Sequence, residues 1–443
     1  FNRNYKTEIE LDADVDKVII DPSGRLADVY QLDNYSKTPV SVELNDFARN
    51  RFKKDYAVEM NPTIWYNGFD GLKLGLFFKG NYMETYHKLE AQLWLNTGLL
   101  QQSNEFSIAD QDAFNLFNYR FKYSDPLRGI AKGLSYTYEF KWIEGLLAND
   151  FYFEKALPND KTRIKAGVEG LYRPSANDLN YLIYPTLWNA DQWNNFTKVE
   201  LEHSYYYGRS NGKIKSELRS PFFMSDYSYG FLNLDVVNNN RFSVFNWRTR
   251  VFGQYGQGQN WAPESQLYAA GANPEQMMDN QLTRSMGYAP EGIYSVSNTT
   301  GQFQAGGGLN LSGYNNYLMP QLNGDSLLRL GYVGHTGLAF NTELEFDDII
   351  QVAKGLRRFV ELKTYFFADA GIININRATE QLEFSNVRFD AGAGATLEIK
   401  RWGSFTDFKP LKIRFDMPLF LNRPPANEEY LAFRWLIGFE RAF

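Results

Sequence analysis

Apolar and polar residues alternate with a period of two along most of the chain. The pattern is plainest at its end, Tyr430–Phe443 (YLAFRWLIGFERAF). Counting back from Phe443, Arg441, Phe439, Ile437, Trp435, Phe433 and Leu431 share one face, while Ala442, Glu440, Gly438, Leu436, Arg434, Ala432 and Tyr430 share the other. A period of two predicts a strand, and one this long exceeds the ~5–6 residues usual in soluble sheets. The alternation recurs from Tyr56 onward. Leu72, Leu74, Leu76 and Phe78 oppose Lys73, Gly75 and Lys79, and Leu89, Ala91, Leu93 and Leu95 oppose Lys88, Glu90, Gln92 and Asn96. Asn67-Gly68-Phe69-Asp70-Gly71 predicts a tight hairpin between the first two strands. Further strands are predicted over Phe114–Tyr123, Leu134–Trp142, Phe151–Leu157, Arg163–Tyr172, Thr197–Tyr207, Lys213–Ser220, Phe231–Val237, Ser243–Tyr255, Phe303–Leu311, Leu327–Phe346, Val360–Ile373, Val387–Trp402 and Leu411–Leu421. Leu134–Leu157 reads equally as one long strand or as a hairpin.

The charges take one parity. Lys198, Glu200 and Glu202, Lys213, Lys215, Glu217 and Arg219, Arg248 and Arg250, Glu343 and Glu345, Arg414 and Asp416 all alternate with apolar residues. Facing such side chains to hydrocarbon costs about 2–4 kcal/mol for each Lys or Arg near the midplane, so they must line a wet or salt-bridged interior. The fold class expected is therefore all-β: a transmembrane antiparallel β-barrel of about 16 strands over residues 56–443. It is preceded by a short soluble β segment over 1–48 and a linker over 49–55 containing the basic run Arg49–Lys54. Within 1–48, strands are predicted at Thr7–Asp12, Val15–Ile20 and about Leu26–Leu32, with Asp21-Pro22-Ser23-Gly24 as a turn. Residues 257–302, rich in Asn, Gln, Gly and Pro, predict a long external loop.

Composition narrows the chemistry. In 443 residues there are 35 Phe, 29 Tyr and 9 Trp, yet no apolar run approaches the ~18–20 residues of a spanning helix. Alternating strands hide from mean hydropathy. A net charge of −6, mixed along the chain, leaves no footprint for nucleic acid. The absence of cysteine removes disulfides and thiolate chemistry. His87, His203 and His335 are far apart, no H-E-x-x-H occurs, and Glu84 with His87 would diverge on a strand. Asp110 and Asp112 read as polar loop, and Gly253–Gly258 (GQYGQG) lacks the Lys and Ser/Thr of a phosphate loop. No catalytic residue, metal ligand or cofactor site is assigned within this chain.

Two resemblances extend this reading. The run Val15-x-x-Val18-Ile19-Ile20-Asp21-Pro22…Leu26-Ala27-Asp28-Val29 resembles the segment that leads out of bacterial gluzincin metallopeptidases of the aminopeptidase N type; an unrelated hairpin before a barrel is the alternative. It implies a metallopeptidase-like domain upstream of residue 1, the only place where zinc is expected. Pro62…Asp70-Gly71-Leu72, Phe303–Tyr314, Phe340–Phe346, Phe366–Gly371, Asp390–Gly394 and Phe415–Leu419, in that order, are similar to the surface-antigen superfamily of outer-membrane barrels, which includes BamA-type assembly factors and two-partner secretion translocases. That resemblance implies a bacterial outer-membrane location with residues 1–48 periplasmic, and contact with outer-membrane lipid. It also implies a loop entering the lumen over about 306–325, carrying Gly306, Gly307, Gly308, Leu311, Ser312, Gly313 and Tyr314. Asp369 and Asp390 would be acids on the facing wall. Trp435, Ile437, Phe439 and Phe443 would form a C-terminal signal read by the barrel assembly machinery. Where the family has Arg this chain has Ser312, which cannot make a bidentate charged pair. The functions implied are an anchor or scaffold for the upstream domain, with possible subunits of an envelope complex as partners. The alternatives are a protein insertase or translocation component and a passive solute channel.

Overall fold

The computed structural model describes residues 7–8, 10, 14–23, 25, 28, 30–44, 55–102, 116–127, 129–288, 302–317, 321–323, 326–328, 333–346, 352–353, 355–374, 382–400, 410–424, 429–441 and 443. After a short β1 (Val40–Leu44), the alternating segments form an antiparallel meander. Its first half is β2 (Tyr56–Asn67), β3 (Gly71–Tyr82), β4 (Tyr86–Asn96), β5 (Phe117–Pro126), β6 (Leu134–Ile143), β7 (Leu146–Ala156), β8 (Thr162–Tyr172) and β9 (Asn194–Tyr207). The second half is β10 (Ser210–Pro221), β11 (Ser228–Arg241), β12 (Asn246–Asn260), β17 (Gly337–Glu345), β18 (Val360–Ile373), β19 (Arg388–Ile399), β20 (Leu411–Leu421) and β21 (Leu436–Phe439). Between β12 and β17 lie β13 (Leu267–Tyr268), which pairs with β16 (Val333–Gly334), and β14 (Gln321–Asn323), which pairs with β15 (Ser326–Leu328). With β1 the large sheet has 17 strands.

Its two faces follow the sequence parity. Leu74, Leu76, Leu93, Val199, Leu201, Leu218, Val251, Phe340, Phe366 and Phe415 are exposed, whereas Lys73, Arg219, Arg250, Glu343, Asp369, Asp390, Arg414 and Asp416 are buried. An apolar outer face around a charged, filled interior suits a hydrocarbon surround. Strands other than β1, β13–β16 and β21 run from 9 to 15 residues, enough for a tilted strand to cross the ~30 Å core. Among the described residues no helix is long and apolar enough to cross.

Chain direction places the short turns 83–85, 157–161, 208–209 and 242–245 at one rim, together with the start of β2 and the residues after Phe439. The turns 68–70 and 144–145 and the longer connections 173–193 and 222–227 lie at the other, the loop rim. The ring has a seam. β1 occupies the free edge of β2 in parallel, from Val40 against Tyr56 to Leu44 against Met60. β21 pairs with β20 on one side, and its other edge takes a parallel bridge between Ile437 and Phe303. Among the described residues no ladder joins β2 to β21.

Several expectations change. Leu134–Leu157 is a hairpin, because Glu144 and Gly145 adopt φ of +54° and +69°, as a two-residue turn of the primed type requires. Phe303–Leu311 is not a strand, and Leu327–Phe346 contributes only β17 to the barrel wall, since both belong to chain folded inside it. The C-terminal ladder spans Leu436–Phe439 rather than fourteen residues. Glu440 has φ +66°, and beyond it Arg441 turns into the lumen to reach Glu343 on β17 at 2.9 Å. Trp435 stays outside, stacked on Phe415 at 6.1 Å. The external loop proves internal over its described part, 261–288: Ala262, Leu267, Tyr268, Ala269, Ala270, Met277 and Met278 are all buried. Alanines and methionines there fill space between the inner walls, a role that the polar composition of 257–302 conceals.

In the N-terminal segment, Ile19 bridges Tyr35 and β1 joins the barrel sheet. Tyr30 packs edge-on against Tyr82 and Tyr86 with ring centres at 5.5 and 5.7 Å, and its hydroxyl meets His87 Nε2. The linker run Arg49–Lys54, the acids Asp110 and Asp112 and half of Thr7–Asp12 fall outside the described residues.

Candidate functional site in the barrel lumen

Residues 302–317 cross the lumen in contact with the wall strands β12 and β17 to β21. Gly308, at φ +51°, starts the crossing where a Cβ would lie 2.4 Å from the carbonyl oxygens of Tyr268 and Gly271, so only glycine fits. Leu309 and Leu311 then donate their amides to Tyr268 and Ala269 at 3.0 and 2.9 Å. Their side chains are buried with Phe252, Tyr314, Ala339, Ile373 and Leu421. Fixing the backbone by hydrogen bonds and the side chains by packing makes this a rigid strut.

Polar contacts tie the strut to the wall. Arg250 on β12 donates to the Gly308 carbonyl at 3.0 Å while its guanidinium is held by Asp235 at 2.9 and 3.1 Å. Asn341 on β17 donates to the carbonyls of Leu309 and Asn310 and to Asp369 Oδ1 at 3.0 Å. Ser312 donates its backbone N–H to Asp369 Oδ2 at 3.2 Å. Gly313 abuts Asp390, where an added Cβ would stand 2.7 Å from the aspartate Cβ. Tyr314, fully buried, donates to Asn422 at 2.9 Å. The structure thus brings Ser312, Gly313, Asp369 and Asp390 together; the latter two face each other across β18 and β19. Cations contacting the strut, Arg250 and Arg414 among them, come from the wall and not from the loop. Gly306 and Gly307 line a cavity beside β9–β12 together with Phe443, while Phe439 packs on Phe303 with ring centres 5.9 Å apart. The first leg of the loop holds the free edge of β21, Gln304 N–H donating to Ile437 O at 2.9 Å. Arg414 clamps that leg through Gln304 Oε1 at 2.6 Å and pairs with Asp416 at 3.2 Å.

Two further polar clusters close the loop rim, and neither was picked out in the sequence. In one, Lys73 is buried between Asp70 at 2.7 Å and Glu144 at 3.1 Å, and Arg284 reaches Glu144 at 3.0 Å. Tyr181 donates to Asp70 at 2.7 Å. Arg173 donates to the carbonyls of Glu144 and Asp178 at 2.9 Å, and burial brings its guanidinium down to about 10. In the other, Arg219 grips Glu275 through two hydrogen bonds of 2.8 Å above the ring of Phe196 at 3.7 Å. The inward parity of Lys73 and Arg219 was the available signal; their loop partners lie 71 and 56 residues away. Among the described residues no group of His, Asp and Glu could hold a metal ion. His87 and His203 bond Tyr123 and Thr162, and His335 stacks on Trp261.

Glu264 supplies a pH dependence. It is 1% exposed, accepts one hydrogen bond from Asn194 at 2.9 Å and leaves Oε2 without a partner. Burial pushes its carboxyl up to about 8 from an ordinary 4.5. A raised acid contributes its stability fully below the unfolded value and loses it as pH rises through the folded one. The urea midpoint of the detergent-solubilised barrel is therefore expected to fall between pH 5 and 9, and Glu264→Gln should flatten part of that fall. Superimposable profiles for the two proteins would refute the assignment.

No family model and no curated protein matches the sequence. Among solved structures, BamA from Haemophilus ducreyi lacking POTRA domains 1–3 aligns at 13% identity and TM-score 0.43, over 88% of this chain and 71% of that one. CdiB from Escherichia coli aligns at 10% and 0.42, over 86% and 62%. OprD from Pseudomonas aeruginosa aligns at 9% and 0.36, over 89% and 98%.

Proposed function

We propose that this barrel sits in a bacterial outer membrane and serves as anchor and scaffold for a metallopeptidase-like domain preceding residue 1, with the N-terminal segment on the periplasmic side. The observation that carries the reading is the seating of that segment on the barrel: β1 extends the sheet at β2, and Tyr30 is wedged among Tyr82, Tyr86 and His87. A lumen filled by its own loops supports an anchoring role over a solute path. Intact mass and zinc content of the native polypeptide test this together: a chain much heavier than 51.2 kDa with about one zinc is expected, and a native chain near that mass would end the proposal. Tyr30→Ala is expected to loosen the segment, seen as faster proteolysis within residues 1–44 at unchanged barrel stability; an unchanged cleavage rate would show that Tyr30 is not the fastening.

A second reading, a protein insertion or translocation component, is favoured by the seam, where the edges of β2 and β21 are held by β1 and by Phe303 rather than by each other. Val42 and Val58 are register partners, and the chain has no cysteine of its own. A Val42→Cys/Val58→Cys pair would therefore lock β1 on β2 when oxidised. Under this reading, oxidation stops assembly of a test barrel in proteoliposomes and reduction restores it; assembly insensitive to oxidation removes the β2 edge from the mechanism.

A further inference from the structure

The turn between β10 and β11 carries Phe222, Phe223 and Met224, which are 46, 73 and 73% exposed. The run Ser220–Ser225 (SPFFMS) holds no charge. Backbone bonds fix its shape. Phe222 N–H donates to the Asn195 carbonyl at 2.9 Å, Ser225 N–H closes back on the Phe222 carbonyl at 3.2 Å, and Asn195 N–H donates to Ser225 Oγ at 3.2 Å. The first of these bonds prolongs the β9–β10 ladder one pair beyond Pro221 and Phe196, which gives Phe222 the outward parity of Leu218 and Val199. The turn leans over the outer wall. On β9, Asn194 and Phe196 are buried inside the barrel, so Asn195 between them faces out. Its Nδ2 donates to the carbonyls of Phe223 and Met224 at 3.3 and 3.0 Å. Two other turns of this rim do the opposite, since Phe69 of 68–70 and Glu144 of 144–145 are buried inside.

Beneath this turn the outward apolar band is short. On β9 it consists of Thr197, Val199 and Leu201, bounded by Asn195 and His203. Eight residue steps of ~3.3 Å, tilted by ~45°, cross only ~19 Å, against the ~25 Å of a membrane barrel's apolar band. Toward the turn rim the outward groups are polar: His203 bonds Thr162, and Asn238 on β11 meets the hydroxyls of Tyr205 and Tyr207. Apolar length is therefore added at the loop rim, where Tyr172 and Trp193 stack with ring centres 4.4 Å apart, amphipathic rings suited to a boundary between lipid and water. We propose that Phe222, Phe223 and Met224 form a wedge that inserts into the acyl region of the lipid leaflet at the loop rim. The occupant follows from continuity: Phe222 extends the same outward row that Leu218 and Val199 present to hydrocarbon, and no charge interrupts the row up to the tip. The inference stands on the outer face and does not depend on the role proposed for the lumen or for an upstream domain.

The test uses the absence of cysteine from the chain. Phe223→Cys, Met224→Cys and, as the aqueous reference, Arg209→Cys in the exposed turn at the other end of β9 and β10 are each made in the full chain. All three are spin-labelled and reconstituted into phosphatidylcholine vesicles that contain no other protein. Collisions of the label with oxygen, which concentrates in the bilayer, are compared with collisions with a neutral water-soluble nickel chelate. The ratio of oxygen to nickel collisions is expected to be at least about fivefold higher at 223 and 224 than at 209. Equal ratios at 223 and 209 would place the tip in water, free for a protein partner, and overturn the proposal. Heat-dependent gel mobility verifies folding; should one of the two tip variants fail that check, the other decides, since neither exposed side chain supports the barrel.

Discussion

Excision of residues 262–334, with a short glycine–serine link in their place, is expected to turn an electrically quiet barrel into a conducting one, raising single-channel conductance in planar bilayers at least about tenfold. The segment supplies Leu267, Ala269, Ala270, Leu309, Leu311 and Tyr314 to one interior cluster and Met277, Met278 and Phe303 to another. A sixteen-strand wall is wide enough to leave an aqueous channel when nothing fills it. Trp261 stacks on His335 with ring centres 5.5 Å apart, so the two ends are near enough for a short link. The wall pairings β11–β12 and β17–β18 do not involve the excised residues, and folding is checked by heat-dependent gel mobility. A folded variant that stays silent would mean that the remaining connection 173–193 seals the lumen by itself, and the plug role of 262–334 would be withdrawn.

Glu144→Gln is expected to cost about 3–5 kcal/mol of unfolding free energy, the range for removing one partner of a buried ion pair. Glu144 is 1% exposed and neutralises Arg284 and, with Asp70, Lys73. Burial alone would raise its carboxyl, yet Lys73 and Arg284 bring it down to about 2. A lowered acid gives stability that is present above its ordinary 4.5 and lost only as pH falls through about 2. Between pH 5 and 9 the loss in Glu144→Gln should therefore be constant, whereas Glu264→Gln should gain stability relative to the native protein as pH rises. Urea unfolding of the barrel in detergent measures both. A change below about 1 kcal/mol, the size of an exposed pair, would show that the cluster is wetter than its burial implies. Because Lys73 and Glu144 sit on different hairpins while Arg284 comes from the long loop, the same variant should also loosen the loop rim.

How far the chain alone carried this picture depends on the range of the interactions involved. Alternation is local and is enforced by the pleat: once Lys73 faces inward, Leu74 must face out. Most of the up-and-down strands, the apolar outer face and the charged lumen were therefore legible from period-two patterning alone, which also made a strand of Phe303–Leu311 where there is none. The turn at Glu144–Gly145 was ambiguous because the turn residues are flanked by apolar ones, Ile143 and Leu146, that continue the strand pattern. Motif order pointed to Gly306–Tyr314 as a loop and to Asp369 and Asp390 as wall acids, but the contact chemistry was not readable. The acid is met by the amide of Ser312, and the cation by Arg250 from the wall.

What the sequence by itself determined is what neighbours in the chain dictate: strand, parity, hairpin and the sign of charge facing inward. Only the tertiary structure decided that 261–288 folds inside, that the chain after Glu440 turns into the lumen, and that β1 and Phe303 hold the two edges of the seam. Each of these is a balance among groups far beyond a turn's reach in sequence, from Val40 and Tyr56 to Phe303 and Ile437, set by which surfaces a closed wall brings within a few ångströms of one another, and no local period records that.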